Sequence, residues 1–271
     1  MHSATQQDQA AVLIVGGGAL GAALAQGWAA HRAVTVVEPR LERQAPLAAL
    51  GAKTSMALPD HADIVVLAVK PQSIAVACRE LHQGLRQPPR FVLSMAAGVG
   101  LESLRRNLAG WCPVLRAMPN LAAAQGTAMT VLYGEQVSEH VRDEAVRLLE
   151  LVGHVLWVRD EQAIDAATAI SGSGPAYVLR FMACLEEAAM ALGFTREEAH
   201  GLVVQTVLGA ANMAQAAGDC ESLVAQVASR GGTTEAALEQ LGGLRDLIHK
   251  AVAQAAQRAL ALREMYSRDN V

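Results

Sequence analysis

Lysine is nearly absent: Lys53, Lys70 and Lys250 are the only three in 271 residues. With a formal net charge of −4, the chain lacks the basic surface that nucleic acid or an anionic membrane requires. Aromatic residues make up 3% of the sequence, too few for a β-sandwich core, while alanine is abundant and favours closely packed helices. The four cysteines, Cys78, Cys112, Cys184 and Cys220, are far apart and form no Cys-x-x-Cys pair. They read as reduced structural thiols, and no metal site is expected. No apolar run reaches the roughly 18 residues of a membrane span. The opening MHSATQQDQA has neither the basic patch nor the apolar stretch of a secretory signal, so the expected setting is cytoplasmic.

What is present is a chain long enough for two domains, 52% hydrophobic and 18% charged. Residues 11–15 (AVLIV) form an apolar run without helical period, followed at once by GGGALG, an alanine-rich amphipathic stretch and VTVVEP. That order predicts strand, glycine turn, helix and strand. Gly16, Gly18 and Gly21 meet the Gly-x-Gly-x-x-Gly spacing where it carries meaning: a tight turn, close approach to a pyrophosphate, and close helix packing. Glu38 closes the second strand, where a carboxylate accepts ribose hydroxyls and repels an added 2′-phosphate. Arg40 is placed to pair with that phosphate instead, which leaves NADH and NADPH both open.

Further strands are expected at 63–69, entering Lys70 and Pro71, at 91–95, entering Ala96, Ala97 and Gly98, and at 113–120 and 127–132, with a helix over 138–152. In open parallel sheets ligands sit at the carboxyl ends of strands, so AVKP and MAAG should line a cofactor cleft. Beyond Asp160 the pattern is helical throughout. Residues 161–170 read as a helix stopping at SGSGP, with Ser173 as the next cap and Pro175 in its first turn. Thr195 and Glu198 make a capping box, Asp219 caps a short helix, and a long helix covers roughly 244–265. Between that short helix and the start of another at EAALEQL stands SRGGTT at 229–234, readable as a helix stop with a threonine cap or as backbone amides open to an anion. The fold class is therefore α/β, a Rossmann-type dinucleotide-binding domain over 1–159 followed by an all-α domain over 160–271 suited to dimerisation.

None of the eight histidines lies in a recognisable catalytic motif, and no lysine falls in 175–217, against a helix-borne catalytic lysine of the hydroxyacid dehydrogenase kind. A site of hydroxyls and amides suits a substrate that already carries its proton, such as a cyclic iminium.

Six stretches in order, GGGALG, AVKPQ (68–72), SMAAGV (94–99), RAMPN (116–120), IDAATAISGSGPAY (164–177) and SRGGTTEAA (229–237), resemble the pyrroline-5-carboxylate reductase family along nearly the whole chain. The resemblance implies NADPH- or NADH-dependent reduction of 1-pyrroline-5-carboxylate to proline. It also implies a homodimer through the C-terminal helices, dimers often joined in rings, and an active site between subunits. Cofactor contacts would fall on Gly16, Gly18, Ala19, Leu20 and Gly21, on Ala68, Val69, Lys70 and Pro71, on Met95, Ala96 and Ala97 beside the nicotinamide, and on Ser55 near the adenosine.

By the same resemblance Ser229, Gly231, Gly232 and Thr233 hold the substrate carboxylate, and Thr234 bonds the ring nitrogen as the catalytic hydroxyl. Glu161 matches a position near the substrate ring, and Gln226 stands where asparagine is frequent. Departures are Arg230 in place of the usual proline, Leu121 and Ala122 in place of Thr-Pro, and Ala19 in place of asparagine or glutamine. They keep two alternatives in play: a reductase of another cyclic imino acid, and a nucleotide-binding paralogue without catalysis.

Overall fold

The computed structural model describes residues 10–268; the polar opening segment read above lies, apart from Ala10, outside them. The described residues form two compact units, one of residues up to Ser173 together with Gln254 onwards, the other Gly174–Ala253.

The first unit is built on one eight-stranded sheet in the order β3-β2-β1-β4-β5-β6-β7-β8. The strands are β1 (Val12–Val15), β2 (Val34–Val37), β3 (Lys53–Ser55), β4 (Ile64–Leu67), β5 (Phe91–Ser94), β6 (Val114–Met118), β7 (Ala128–Tyr133) and β8 (Gly153–Trp157). Only β6 and β7 pair antiparallel; every other neighbour is parallel. Between strands lie the helices α1 (Ala19–Ala29), α2 (Leu41–Ala49), α3 (Ile74–Gly84), α4 (Leu101–Asn107) and α5 (Glu139–Glu150). Because successive side chains point to opposite faces, a central parallel strand must be apolar at every position. On β1, Val12 and Ile14 join the core with Leu24 and Trp28 of α1, while Leu13 and Val15 join the core with Cys78 and Leu81 of α3. The Trp28 indole finds a buried acceptor, donating to the Leu148 carbonyl of α5 at 2.9 Å.

Two edge strands escape the sequence pattern. β3 has three residues with Lys53 exposed, and β8 follows α5 so closely that the predicted helix over 138–152 absorbs its approach. At Gly153 the backbone turns to φ +145°, and a Cβ there would stand 2.0 Å from the Ala128 carbonyl oxygen. Glycine alone permits that approach.

The helix α6 (Glu161–Ala167) does not stop at SGSGP as expected. It widens into a π-helical stretch over Thr168–Gly172 and runs on to α7 (Gly174–Ala191). Ser173 is not a cap: its backbone is helical and its hydroxyl donates to the Thr168 carbonyl at 3.0 Å. A wide turn with six-residue bonds lets the ladder continue through Gly172 and Ser173.

In the second unit α7 and α8 (Arg196–Ala217) form a hairpin across Gly193, where φ is +101°. The Thr195–Glu198 capping box forms as predicted, and Gly218 ends α8 in the left-handed region. Asp219 caps α9 (Cys220–Val227) through the Glu221 amide. The remaining helices are α10 (Thr233–Gln240) and α11 (Leu244–Arg268). Within a single chain α7 buries none of its residues; Leu179 is 62% and the neighbouring Leu192 82% exposed. Apolar exposure on this scale marks a surface made to be covered. Among the described residues no helix is long and apolar enough to cross a membrane, and no group of three candidate metal ligands occurs.

Candidate functional site

The strand order reverses at β1 and β4, where a doubly wound sheet opens its ligand crevice. Four backbone hydrogen bonds run along the carboxyl ends there: Glu38 N–H to Ser55 O (3.0 Å), Gly16 N–H to Val37 O (3.0 Å), Ala68 N–H to Val15 O (2.9 Å) and Met95 N–H to Leu67 O (3.0 Å). They bring Ser55, Glu38, the glycine turn, the AVKP stretch and the MAAG stretch into one row. Ala96 is buried, Ala68, Val69 and Ala97 are half-buried, and Lys70 is exposed where Pro71 opens a short 3₁₀ turn. Ser55 turns its hydroxyl to the Ala57 carbonyl.

The turn itself fits a dinucleotide. Gly16 takes φ +107°, and a Cβ there would lie 2.7 Å from the Ala68 carbonyl oxygen. At Gly21, inside α1, a Cβ would stand 2.0 Å from Gly16 O, so the helix packs directly on the turn. A Cβ on Gly18 would meet nothing within 4 Å, so the protein itself does not demand glycine there. An open, amide-lined position at a helix N-terminus is what a pyrophosphate needs. A cleft of about 290 Å³ adjoins it, lined by Gly17, Gly18, Ala19, Glu42, Arg43 and Leu47. Leu20 is half-buried on α1.

Glu38 is 1% exposed and its carboxylate is fully engaged. Oε2 accepts from the Gly17 amide (3.2 Å) and Arg40 Nη2 (3.2 Å); Oε1 accepts from Arg40 Nε (2.9 Å) and the Arg40 amide (3.1 Å). The Arg40 guanidinium and the backbone amides hold the Glu38 carboxyl below the ordinary carboxylate value of 4.5, against the opposing effect of burial.

In the second unit the SRGGTT turn links α9 to α10. Gly232 N–H donates to Ser229 O at 3.0 Å, and Gly231 takes φ +69°. A Cβ on Gly232 would fall 2.4 Å from Ser229 Oγ, so the turn closes on its own serine. The expected threonine cap is replaced: Gly232 is the cap residue, no side chain caps α10, and Thr233 and Thr234 occupy its first turn. Glycine at this position gives up the side-chain oxygen of a usual cap, leaving first-turn amides available to an anion. One loop amide is already used, with Gly231 N–H donating to Glu235 Oε2 at 2.6 Å. Thr234 also lines an apolar cavity of about 280 Å³ with Ala210, Met213, Leu223 and Leu238. Arg230 is exposed, and Gln226 donates to Ser222 Oγ at 3.4 Å.

Glu161 lies in the first unit, apart in the chain from the other substrate candidates. Its carboxylate accepts from the Leu101 amide (2.6 Å), Arg116 Nη1 (2.8 Å) and Arg263 Nη2 (3.3 Å). Asp165, one turn on, takes Arg116 Nη2 (3.0 Å) and Arg263 Nη1 (2.8 Å). Arg116, Asp165 and Arg263 were not singled out from the sequence. The available signal was two carboxylates at i and i+4 on a helix that otherwise reads apolar, and an arginine within an apolar strand.

A family model described as pyrroline-5-carboxylate reductase dimerisation matches residues 161–262, and one described as NADP oxidoreductase, coenzyme F420-dependent, matches residues 11–98. The chain is 42% identical over 207 residues to a pyrroline-5-carboxylate reductase of Pseudomonas aeruginosa, covering 75% of this chain and 76% of the relative. To the pyrroline-5-carboxylate reductase of Vibrio alginolyticus it is 36% identical over 252 residues, covering 90% and 92%. Among solved structures, a pyrroline-5-carboxylate reductase from Coxiella burnetii superposes with TM-score 0.82 at 35% identity, covering 94% of this chain and 98% of that one. The Plasmodium falciparum pyrroline carboxylate reductase with NADP bound has the same fold, with TM-score 0.84 at 24% identity over 94% and 99% of the two chains.

Proposed function

The chain belongs to the pyrroline-5-carboxylate reductase family, and from that premise we propose that it reduces 1-pyrroline-5-carboxylate to proline with NADH or NADPH. The observation that carries the reading is the SRGGTT turn, where α10 begins at Gly232 without a side-chain cap and has Thr233 and Thr234 in its first turn. When bound, a reduced dinucleotide would supply the hydride for the carbon of the protonated C=N bond, whose π electron pair would pass to nitrogen.

The chain's own residues do the rest. Thr233 and Thr234 amides at the positive end of α10 bind the substrate carboxylate, with the Ser229 hydroxyl beside them. Glu235 holds the Gly231 amide until the substrate arrives, which keeps the left-handed turn formed. Thr234 orients the ring nitrogen, so that the iminium carbon faces the hydride donor. The Gly16 to Gly21 turn binds the pyrophosphate through its amides, and the row from Ser55 to Met95 aligns the rest of the cofactor.

The reading includes a homodimer formed by the exposed faces of α7, α8 and α11, assembly of dimers into a ring, and a cytoplasmic setting supported by four free thiols. Light scattering of the purified protein measures the assembly.

Thr234→Ala tests the chemistry. Loss of an orienting hydrogen bond made in the transition state should lower kcat about 100-fold while dinucleotide affinity stays within twofold, roughly the signature of a group that acts only on the substrate side. Unchanged kcat on pyrroline-5-carboxylate would remove Thr234 from the mechanism, and a faster reaction on a six-membered cyclic imine would reassign the substrate.

A further inference from the structure

The loop Ala96–Gly100 leaves the end of β5, on the opposite side of the switch point from Glu38. A dinucleotide whose adenosine ribose lies at the end of β2 extends along the carboxyl edge towards this loop. Its placement is therefore a property of the reactive end of the cofactor.

Two contacts fix the loop from behind. Gly98 takes φ +78°, and a Cβ there would lie 3.1 Å from both Arg263 N and Leu262 C, so the loop rests on the backbone of α11. At the loop's exit the Leu101 amide, first in α4, donates to Glu161 Oε1 at 2.6 Å. α4 receives no capping side chain from its own Gly100, and a carboxylate from 60 residues away does that work.

Glu161 is itself held in a closed ring of four charges. Arg116 joins Glu161 at 2.8 Å and Asp165 at 3.0 Å; Arg263 joins Asp165 at 2.8 Å and Glu161 at 3.3 Å. Arg116 and Asp165 are 2% and 3% exposed at their side chains. Burying the Arg116 and Asp165 charges of this ring is costly in desolvation, and apolar residues of like volume often stabilise as well or better. What apolar residues cannot supply is a directional acceptor for the Leu101 amide. The ring spans β6, α6 and α11, so it refers the loop to three elements at once.

We propose that Glu161 is a positioning residue for the reductive step: through the Leu101 amide, and braced by Arg116, Asp165 and Arg263, it fixes the Ala96–Gly100 loop against which the nicotinamide end of the cofactor rests. It does so without touching the substrate. The inference rests on the reductase reading above.

Glu161→Ala and Glu161→Gln are compared with wild type, and Gly98→Ala disturbs the same loop from its other contact. The measurements are kcat, KM for the imine, dinucleotide affinity by fluorescence, and the isotope effect with dinucleotide deuterated at the transferred position. Glu161→Ala should lower kcat about tenfold and raise the isotope effect, because misplacing the donor slows hydride transfer itself. The imine KM should stay within about twofold. Glutamine keeps a carbonyl acceptor for the Leu101 amide and should restore part of kcat. Gly98→Ala should repeat the loss of kcat, and decides the matter if the Glu161 variants do not fold.

A tenfold rise in imine KM with kcat retained makes Glu161 a substrate ligand and overturns the proposal. So does an unchanged kcat with only a lowered unfolding midpoint. A wild-type protein inactive on the imine overturns the reductase reading and this inference with it, whereas an active wild type with unaffected variants overturns the inference alone.

Discussion

Arg40 Nε donates to Glu38 Oε1 at 2.9 Å while the other oxygen of that carboxylate holds the Gly17 amide at 3.2 Å. Selectivity between the two dinucleotides should depend on this arrangement. A 2′-phosphate brought to the end of β2 meets a buried carboxylate held ionised by Arg40, and Arg40, half-exposed, must leave that carboxylate to pair with the phosphate. The expected outcome is a preference for NADH. Glu38→Gln should move the ratio of kcat/KM values about tenfold towards NADPH, roughly the effect of removing one like charge near the phosphate. Arg40→Ala should lower kcat/KM for NADPH more than for NADH. Steady-state kinetics with each dinucleotide checks both.

Gly18 and Gly21 are both glycines of the turn, yet they should fail differently. A Cβ on Gly21 falls 2.0 Å from Gly16 O, within backbone that cannot yield. Gly21→Ala should therefore destabilise the first unit by about 2 kcal/mol or more. Gly18 has ordinary backbone angles and open space around it. Gly18→Ala should cost less than about 1 kcal/mol of stability. It should nonetheless weaken dinucleotide binding at least tenfold, roughly, because the added methyl stands where the pyrophosphate approaches. Denaturant titration and fluorescence binding separate the two.

The features legible in the sequence are those whose chemistry is local. The Gly16, Gly18 and Gly21 spacing, the Thr195–Glu198 box and the Asp219 cap each complete themselves within a few residues, and each forms. The SRGGTT turn was legible as a turn but not in its detail. Whether Gly232 or a threonine caps α10 depends on the backbone around Ser229, which no propensity encodes. Least legible is the Arg116, Glu161, Asp165 and Arg263 ring, whose partners are 45 to 102 residues apart in the chain. No local pattern pairs them. β8 was hidden for a different reason: two of its five residues are exposed and none is buried, and Gly153 makes its first contact through backbone rather than side chain.

Acid should weaken the fold through two carboxylates in particular. Glu38 is lowered first by its side-chain bond from Arg40, and Glu198 by the Thr195 amide and hydroxyl of the capping box. A folded-state value below the unfolded one contributes stability that is complete above the ordinary value of 4.5 and is lost as pH falls through the folded value. Unfolding free energy should therefore hold level above that pH and decline below it. Thr195→Ala should lower stability at pH 7 by about 1 kcal/mol, the usual worth of a cap. It should also flatten part of the acid decline, since Glu198 then loses the hydroxyl bond and is lowered by the backbone amide of residue 195 alone. Denaturant midpoints at a series of pH values measure this.

Thiol labelling reads the two units separately. Burial pushes Cys78 up to about 11, and burial together with neighbouring Cys78 pushes Cys112 up to about 12. At pH 8 their reactive thiolate forms are scarce, roughly one part in a thousand or fewer, and neither side chain is fully open to reagent. Both should stay unlabelled until the first unit unfolds. Cys184 on α7 and Cys220 at the start of α9 are exposed on a single chain. If a second copy covers α7, Cys184 should label slowly in concentrated protein and faster on dilution, while Cys78 and Cys112 remain silent at every concentration. Fast, concentration-independent labelling of Cys184 would mean that the cover lies elsewhere. Counting modified cysteines by mass spectrometry against time gives all four rates in one experiment.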